Sequence, residues 1–361
     1  MKNSRRDSRY DARHDFEYDS HYDSNHDIDY DPDHDQDPPH EPRSRGMAFL
    51  RAFTITISTT LLIISALLFA WAIFVQPPTI PPQPNPNPAT SPDRKPGFYT
   101  FLIFGYDIGL RPDTIMVAAY DAYNQHAYIV SIPRDTRVLS QRGPRRINAS
   151  YPSGRLHGDG HADGVNQLKQ ELQTLIGFRP DFYVSLHEDV FVVIVDAVGG
   201  VYIDVPFHMH YRDPYQDLYI NIQEGHQRLD GENALHFVRF RYHYDRRGAI
   251  SNHLRMQHQH QLIDALVHEL KTPATILRIP QFIRAYMGYM NTDVPLGSLL
   301  WLGQQFVLDD ITLITYNYPV TSVRSTAWYD IPNGREALAL INRTINPFVQ
   351  DITMDMLELV Q

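Results

Sequence analysis

The 361-residue chain has a formal charge of -10, no cysteine and ordinary apolar content. Disulfides and thiolate chemistry are excluded, and the length fits one large domain with appendages. An acidic chain is a poor general nucleic-acid binder, because such affinity comes mainly from Lys and Arg neutralising phosphates, so no nucleic-acid partner is expected.

The charge is unevenly placed. Residues 1–46 hold 13 acids against 7 Lys and Arg, a net -6, and the remainder carries -4. Aspartate recurs every four residues from Asp7 to Asp27, with Tyr and His interleaved. With almost no apolar residues, this stretch is expected to be a disordered cytoplasmic tail. Its five His beside Asp are compatible with weak metal binding, but a solvated spacer is the simpler reading.

Residues 47–75 carry one charge, Arg51, and Ala52 to Val75 is uncharged. A helix of that uncharged length covers roughly 36 Å, enough for a bilayer core of about 30 Å. A cleaved signal peptide is the rival reading, with Ala70-Trp71-Ala72 as a cleavage pattern. The long polar region before it and the length of the apolar run favour one transmembrane helix. Arg43, Arg45 and Arg51 precede it, which predicts a cytoplasmic amino terminus and an extracytoplasmic bulk in the cell membrane. Residues 76–97 contain nine prolines and predict a semi-rigid spacer of roughly 60–70 Å.

Residues 98–361 read as one domain. Phe98–Phe104, Thr114–Tyr120 and Ala127–Ile132 are continuous apolar runs, as expected of central strands covered on both faces. Helices are predicted over 163–176, 189–198, 231–236 and 254–270, the third capped by Asp230. A strand is predicted over 182–186. After Gly199 and Gly200, VYIDV (201–205) is expected to resume the sheet. The fold class is α/β: a layered α/β/α domain with a central mixed sheet.

Four segments share one chemical theme. In FGYDIGLRPDT, Asp107 and Asp113 flank a Gly-containing loop just after a buried strand, a place where α/β folds put ligands. Two carboxylates there suit Mg²⁺ completed by waters and phosphates; a turn-capping Asp is the plainer alternative. SIPRDTRV (131–138) presents Arg134, Asp135 and Arg137 at a sheet end, and guanidinium forks suit phosphate oxygens. FVRFRY (237–242) alternates, which predicts a strand with Arg239 and Arg241 on one face. Arg255 and Gln259 are four apart on one helix face, with Leu262 and Leu266 continuing it inward. Together the four segments fit a pyrophosphate bridged by Mg²⁺.

These motifs resemble the LytR-CpsA-Psr family of bacterial cell-envelope proteins over about residues 99–345. The marks are Gly105, Asp107, Arg111, Asp113 and Thr114, then SIPRDTRV, RINASY (146–151), DAVGGVYIDVP (196–206) and LDGENALHFVRFR (229–241). The resemblance implies transfer of a glycopolymer from a polyprenyl-pyrophosphate carrier to a peptidoglycan hydroxyl through a phosphodiester. Carried over, Asp107 and Asp113 hold Mg²⁺. Arg111, Arg134, Arg239, Arg241, Arg255 and Gln259 grip the pyrophosphate, and Asp135 is either the general base or the orienter of Arg134. The lipid tail is expected in an apolar pocket between sheet and helices. The chain departs from the family's Asp-x-x-Arg-x-x-Arg-Gln pattern: Asn252 and His258 replace the acid and the second arginine. Asp245, and Arg246 or Arg247, are the candidate replacements. A polyprenyl-phosphate-binding regulator without turnover and a lipid pyrophosphatase are the alternative readings.

Overall fold

A computed structural model describes residues 45–82, 93–106, 110–140, 143–214, 218–240, 242–243, 248–249, 252–272, 278–309, 311–324 and 328–360. The Asp/His/Tyr tail before residue 45, spacer residues 83–92, Asp107, Arg241 and residues 245–247 lie outside the described residues.

The chain divides into two compact units, Met1–Ser65 and Ala66–Gln361. Helix α1 (Arg45–Phe74) is apolar, and Gly46–Phe74 is long enough to cross a membrane by length and composition. It is the one such helix among the described residues.

The second unit is built on a six-stranded mixed sheet. Strands β1 (Phe98–Tyr106), β2 (Pro112–Asp121) and β3 (His126–Ser131) pair antiparallel in succession. A short ribbon of β4 (Arg137–Val138) and β5 (Arg145–Arg146) follows, then helices α2 (Ser150–His157) and α3 (His161–Ile176). Strand β6 (Phe182–His187) lies parallel to β1, and α4 (Glu188–Val198) leaves its end. Strands β7 (Val201–Val205) and β10 (Gly225–Leu229) form one ribbon, and β8 (Met209–Asp213) and β9 (Leu218–Ile222) another. Helix α5 (Gly231–Arg239), the pair β11 (Tyr242–His243) and β12 (Gly248–Ala249), and helix α6 (Asn252–Leu270) come next. Helix α7 (Ile279–Tyr289), strand β13 (Asn291–Thr292) against β6, and helix α8 (Leu296–Leu308) precede β14 (Thr312–Asn317), which is parallel to β3. A hairpin of β15 (Val320–Arg324) and β16 (Trp328–Pro332) leads to α9 (Gly334–Thr344).

Alternation along β1 explains why its whole run is apolar. Phe98, Leu102, Phe104 and Tyr106 enter one core with Leu168, Leu172 and Leu175 of α3 and Leu340 and Ile341 of α9. Tyr99 and Phe101 enter the opposite core, against Leu299, Trp301 and Phe306 of α8. Helices therefore cover both faces, the α/β/α layering expected. A third core joins α4, α5 and α6 to the β7/β10 and β8/β9 ribbons. At the start of β1, the buried Asp181 carboxylate accepts from Thr100 N at 3.0 Å, Thr100 Oγ1 at 2.7 Å and Arg94 Nη2 at 2.7 Å. That holds the parallel β6 connection to its neighbour.

Two expectations are corrected. VYIDV does not resume the central sheet; it is β7, paired only with β10 among the described residues. Gly199 and Gly200 both take positive φ (87° and 84°) and turn the chain away. Burial along β7 then alternates, with Val201, Ile203 and Val205 inside and Tyr202 and Asp204 out, the pattern of a half-covered ribbon. Of FVRFRY, residues 237–240 are not a strand either, and among the described residues only Tyr242 is in one, β11. Asp230 caps α5 by accepting from Asn233 N at 2.9 Å, and the helix continues through Arg239. Ala234 and Phe237, three apart, share the buried face, so the period is helical.

Candidate functional site

The sheet's carboxyl ends and three helices converge on one hollow. A cavity of about 280 Å³ is lined by Ile103, Met116 and Ile129 of the central strands, by Phe191 and Ile194 of α4, by Leu235 and Val238 of α5, and by Leu262, Ile263 and Leu266 of α6. Asp113, Thr114, Glu188, Arg239, Arg255 and Gln259 supply its polar rim. A smaller hollow shares Asp113, Thr114, Arg255 and Gln259 with it and adds Ser131, Pro133 and Arg134. Charge is thus gathered where the two hollows meet, and the larger one is otherwise apolar.

Each rim residue is placed by its element. Asp113 and Thr114 open β2, beside the end of β1. Arg134 leaves β3 through Pro133, and its Nη1 donates to the Asp113 carboxylate. Burial works against the charge of Arg134, but the Asp113 and Asp135 carboxylates outweigh it and raise the guanidinium above its ordinary value. Asp135 lies between two guanidinium groups, 3.7 Å from Arg134 Nε and 3.3 Å from Arg146 Nε. A carboxylate so engaged orients arginines, and that geometry favours the orienter role over the base.

Arg239 ends α5, where its Nη1 donates to Glu188 Oε2 at 2.5 Å. Glu188 opens α4, immediately after β6. Arg255 is buried on α6, and one turn later Gln259 Nε2 donates to Thr114 Oγ1 at 2.9 Å. The predicted shared face of Arg255, Gln259, Leu262 and Leu266 is the face that lines the cavity. From the next residue of α6, His260 Nε2 lies 2.8 Å from Ser131 Oγ.

Of the residues anticipated from sequence, Asp113, Arg134, Arg239, Arg255 and Gln259 meet at this rim, with Asp135 directly behind Arg134. Arg111 is exposed just before β2 and does not line the cavity. Asp107 and Arg241 are outside the described residues. Sequence reasoning missed Glu188 and Thr114. The strand-end rule points to Glu188, since it follows the end of a strand parallel to β1.

Residues 82–345 match the LytR_cpsA_psr family. The chain belongs to this family. Among LytR_cpsA_psr-related proteins, Regulatory protein MsrR of Staphylococcus aureus (strain COL) is 26% identical over 222 residues, covering 60% of this chain and 62% of MsrR. The polyisoprenyl-teichoic acid–peptidoglycan teichoic acid transferase TagV of Bacillus subtilis (strain 168) is 30% identical over 199 residues, 54% of this chain and 48% of TagV. The chain therefore spans about three-fifths and about half of these curated relatives. The crystal structure of B. subtilis TagV superposes with a TM-score of 0.56 at 24% identity, covering 69% of this chain and 96% of that one. TagT bound to LI-WTA gives a TM-score of 0.53 at 18% identity, over 69% of this chain and 89% of its own. These likenesses establish the fold.

His258, the residue at which the resemblance implies a second arginine, turns away from the rim. It is buried against Phe237, with ring centroids 4.7 Å apart, and near Phe207 at 6.3 Å. Neither ring nitrogen has a hydrogen-bond partner among the described residues. Burial pushes its pKa down to about 4, so the ring is neutral at pH 7. A depressed histidine pKa means that the unfolded chain binds the extra proton. Stability is full above pH 6.5 and falls as pH drops from there toward about 4. The loss reaches up to about 3 kcal/mol. His258→Phe should flatten that part of the curve in thermal unfolding from pH 7 to 4.5; an unchanged curve would remove His258 as its source.

Proposed function

We propose that this protein transfers a glycopolymer from a polyprenyl-pyrophosphate carrier to a peptidoglycan hydroxyl. The observation that carries the reading is the juxtaposition of an apolar cavity with a rim of Asp113, Arg134, Arg239, Arg255 and Gln259. A lipid pyrophosphate has the same two halves, a hydrocarbon chain and a concentrated anion. The name of TagV, a polyisoprenyl-teichoic acid–peptidoglycan transferase, supports the same class of substrates. Helix α1 anchors the domain in the membrane, and the arginines before it favour a cytoplasmic amino terminus.

In this reading the chain lies in the cavity and the arginines hold the phosphates. Arg255, largely out of water, binds an anion more strongly than an exposed arginine would. The acceptor oxygen attacks the phosphorus that bears the glycan. The P–O–P bond breaks, the lipid phosphate leaves with the electron pair, and the hydroxyl proton is released. Positive charge already in place meets the charge growing on the leaving group. Asp135 keeps Arg134 aimed at it.

Magnesium fits the residues present. Mg²⁺ takes one or two carboxylates and fills its sphere with waters and substrate phosphates. Asp113 and Glu188 are each paired with an arginine, but Asp113 lies where the two hollows meet and its side chain is 38% exposed against 29% for Glu188. Asp113 would hold the ion, with Asp107 as its second carboxylate. The ion would neutralise charge on the bridging phosphate oxygens.

His258 lies off the rim, against Phe237, and the rim's positive charge comes from Arg134, Arg239 and Arg255. The test incubates the full chain in detergent micelles with a lipid-pyrophosphate glycan, peptidoglycan oligomers and Mg²⁺. The expected result is lipid phosphate together with a phosphodiester-linked product, arrested by a chelator. Binding without lipid-phosphate release would convert the reading to a scaffold, and release without the linked product to a pyrophosphatase.

A further inference from the structure

We propose that the β15/β16 hairpin is the docking platform for the acceptor, a β-linked amino-sugar strand bearing carboxylates. The proposal rests on the transferase reading above and adds a binding site to it.

The tip of the hairpin pairs an aromatic with a cation. Trp328 is 56% exposed, and Arg324 lies directly across the ladder from it, its guanidinium 5.8 Å from the indole centroid. On the next residue, the Tyr329 ring sits under two more guanidinium groups, Arg137 and Arg146, each at 5.6 Å. Alternation puts Trp328 and Arg324 on one face of the hairpin and Tyr329, with Arg137 and Arg146, on the other, so the exposed Trp328–Arg324 pair is the docking face. Among the described residues, Arg324 has no carboxylate partner. The one acid of the hairpin, Asp330, is buried and accepts from Ser322 Oγ at 2.5 Å.

The patch is wired to the rim. Arg146 donates to the carbonyl of Trp328 from Nε at 3.0 Å and from Nη2 at 2.8 Å, while its Nε also faces Asp135 at 3.3 Å. Asp330 N donates to the carbonyl of Asp135 at 3.0 Å, and Thr136 bridges to Asp330. Asp135 in turn flanks Arg134, which grips Asp113. The hairpin backbone that carries Trp328 is therefore tied to the phosphate-facing loop through Arg146 and Asp330 N.

The chemistry selects the occupant. An exposed indole accepts the C–H face of a pyranose ring, and guanidinium forks donate bidentately to carboxylates. Wall amino-sugar strands carry both features in alternation. A lipid surface is the rival occupant of a Trp-Arg patch. The residues around Trp328 argue against it, because Thr321 and Ser322 are exposed hydroxyls and Val323 is the one exposed aliphatic side chain of β15.

The test titrates peptidoglycan oligomers into the full chain in detergent micelles by calorimetry. Trp328→Ala should weaken oligomer affinity roughly tenfold or more, as expected for loss of a Trp anchor. Trp328→Tyr should retain most of it, and Arg324→Ala should weaken it by a smaller factor. Affinity for the lipid-pyrophosphate donor, titrated without acceptor, should stay at the wild-type value in all three, which separates the platform from the donor site. Wild-type oligomer affinity in Trp328→Ala overturns the proposal. Loss of binding to vesicles of anionic phospholipid, with oligomer affinity intact, reassigns the patch to the membrane. Failure of donor turnover in the wild type would count against the transferase reading, while the oligomer titration still decides the platform.

Discussion

Asp113→Ala should lower the rate of lipid-phosphate release by about 10²–10³-fold, the scale set by removing one preorganised electrostatic group from an active site. The carboxylate is more than one-third exposed and lies at the start of β2, so the sheet survives its loss. Stimulation by Mg²⁺ should vanish together with the rate, because Asp113 is the one carboxylate among the described residues that lines both hollows. Asp113→Asn keeps the shape and the hydrogen bond to Arg134 but removes the charge, and should fall as far. Rates measured against Mg²⁺ concentration read both effects. A wild-type rate with intact metal stimulation in either variant would exclude Asp113 from the metal site.

The second large effect concerns the hydrocarbon chain. Ile194 of α4 and Ile263 of α6 both line the cavity of about 280 Å³, and both are only partly buried by protein. Ile194→Trp combined with Ile263→Trp fills that space with indole. Each buried methylene contributes about 0.8 kcal/mol, so displacing a few carbons of the lipid should raise KM for a long-chain donor by roughly 10–100-fold. A short-chain, water-soluble pyrophosphate never reaches those walls and should keep its KM. Comparing the two donors, with thermal unfolding to confirm the fold, isolates the chain. Equal loss on both would place the lipid elsewhere.

The readable parts of the chain share a reason. Strands β1, β2 and β3 are buried on both faces, so their sequences are apolar without interruption, and no other element tolerates that in so few residues. The Arg255, Gln259, Leu262 and Leu266 face is readable because helical spacing is local. FVRFR misleads because aromatics three apart satisfy a helix while the same letters alternate like a strand; only the Asp230 cap upstream decides. The pairings that complete the rim leave no local trace. Arg239 meets Glu188 from 51 residues away, and Gln259 meets Thr114 from 145. The side of α6 that His258 occupies is likewise set by Phe237, which belongs to another helix.

The grip of Arg134 on Asp113 has a consequence for the end of a catalytic cycle. At rest the protein supplies its own counter-anion to that arginine, so every phosphate must win the guanidinium in competition with a tethered carboxylate. In the proposed reaction the donor offers the rim two phosphoryl groups, and a bound metal ion would hold Asp113. The lipid monophosphate left after transfer has one phosphoryl group and so fewer oxygens for the same arginines. The carboxylate then reclaims Arg134 and expels the product. In the proposed reaction the ion pair is a built-in competitor that keeps the spent carrier from blocking the site.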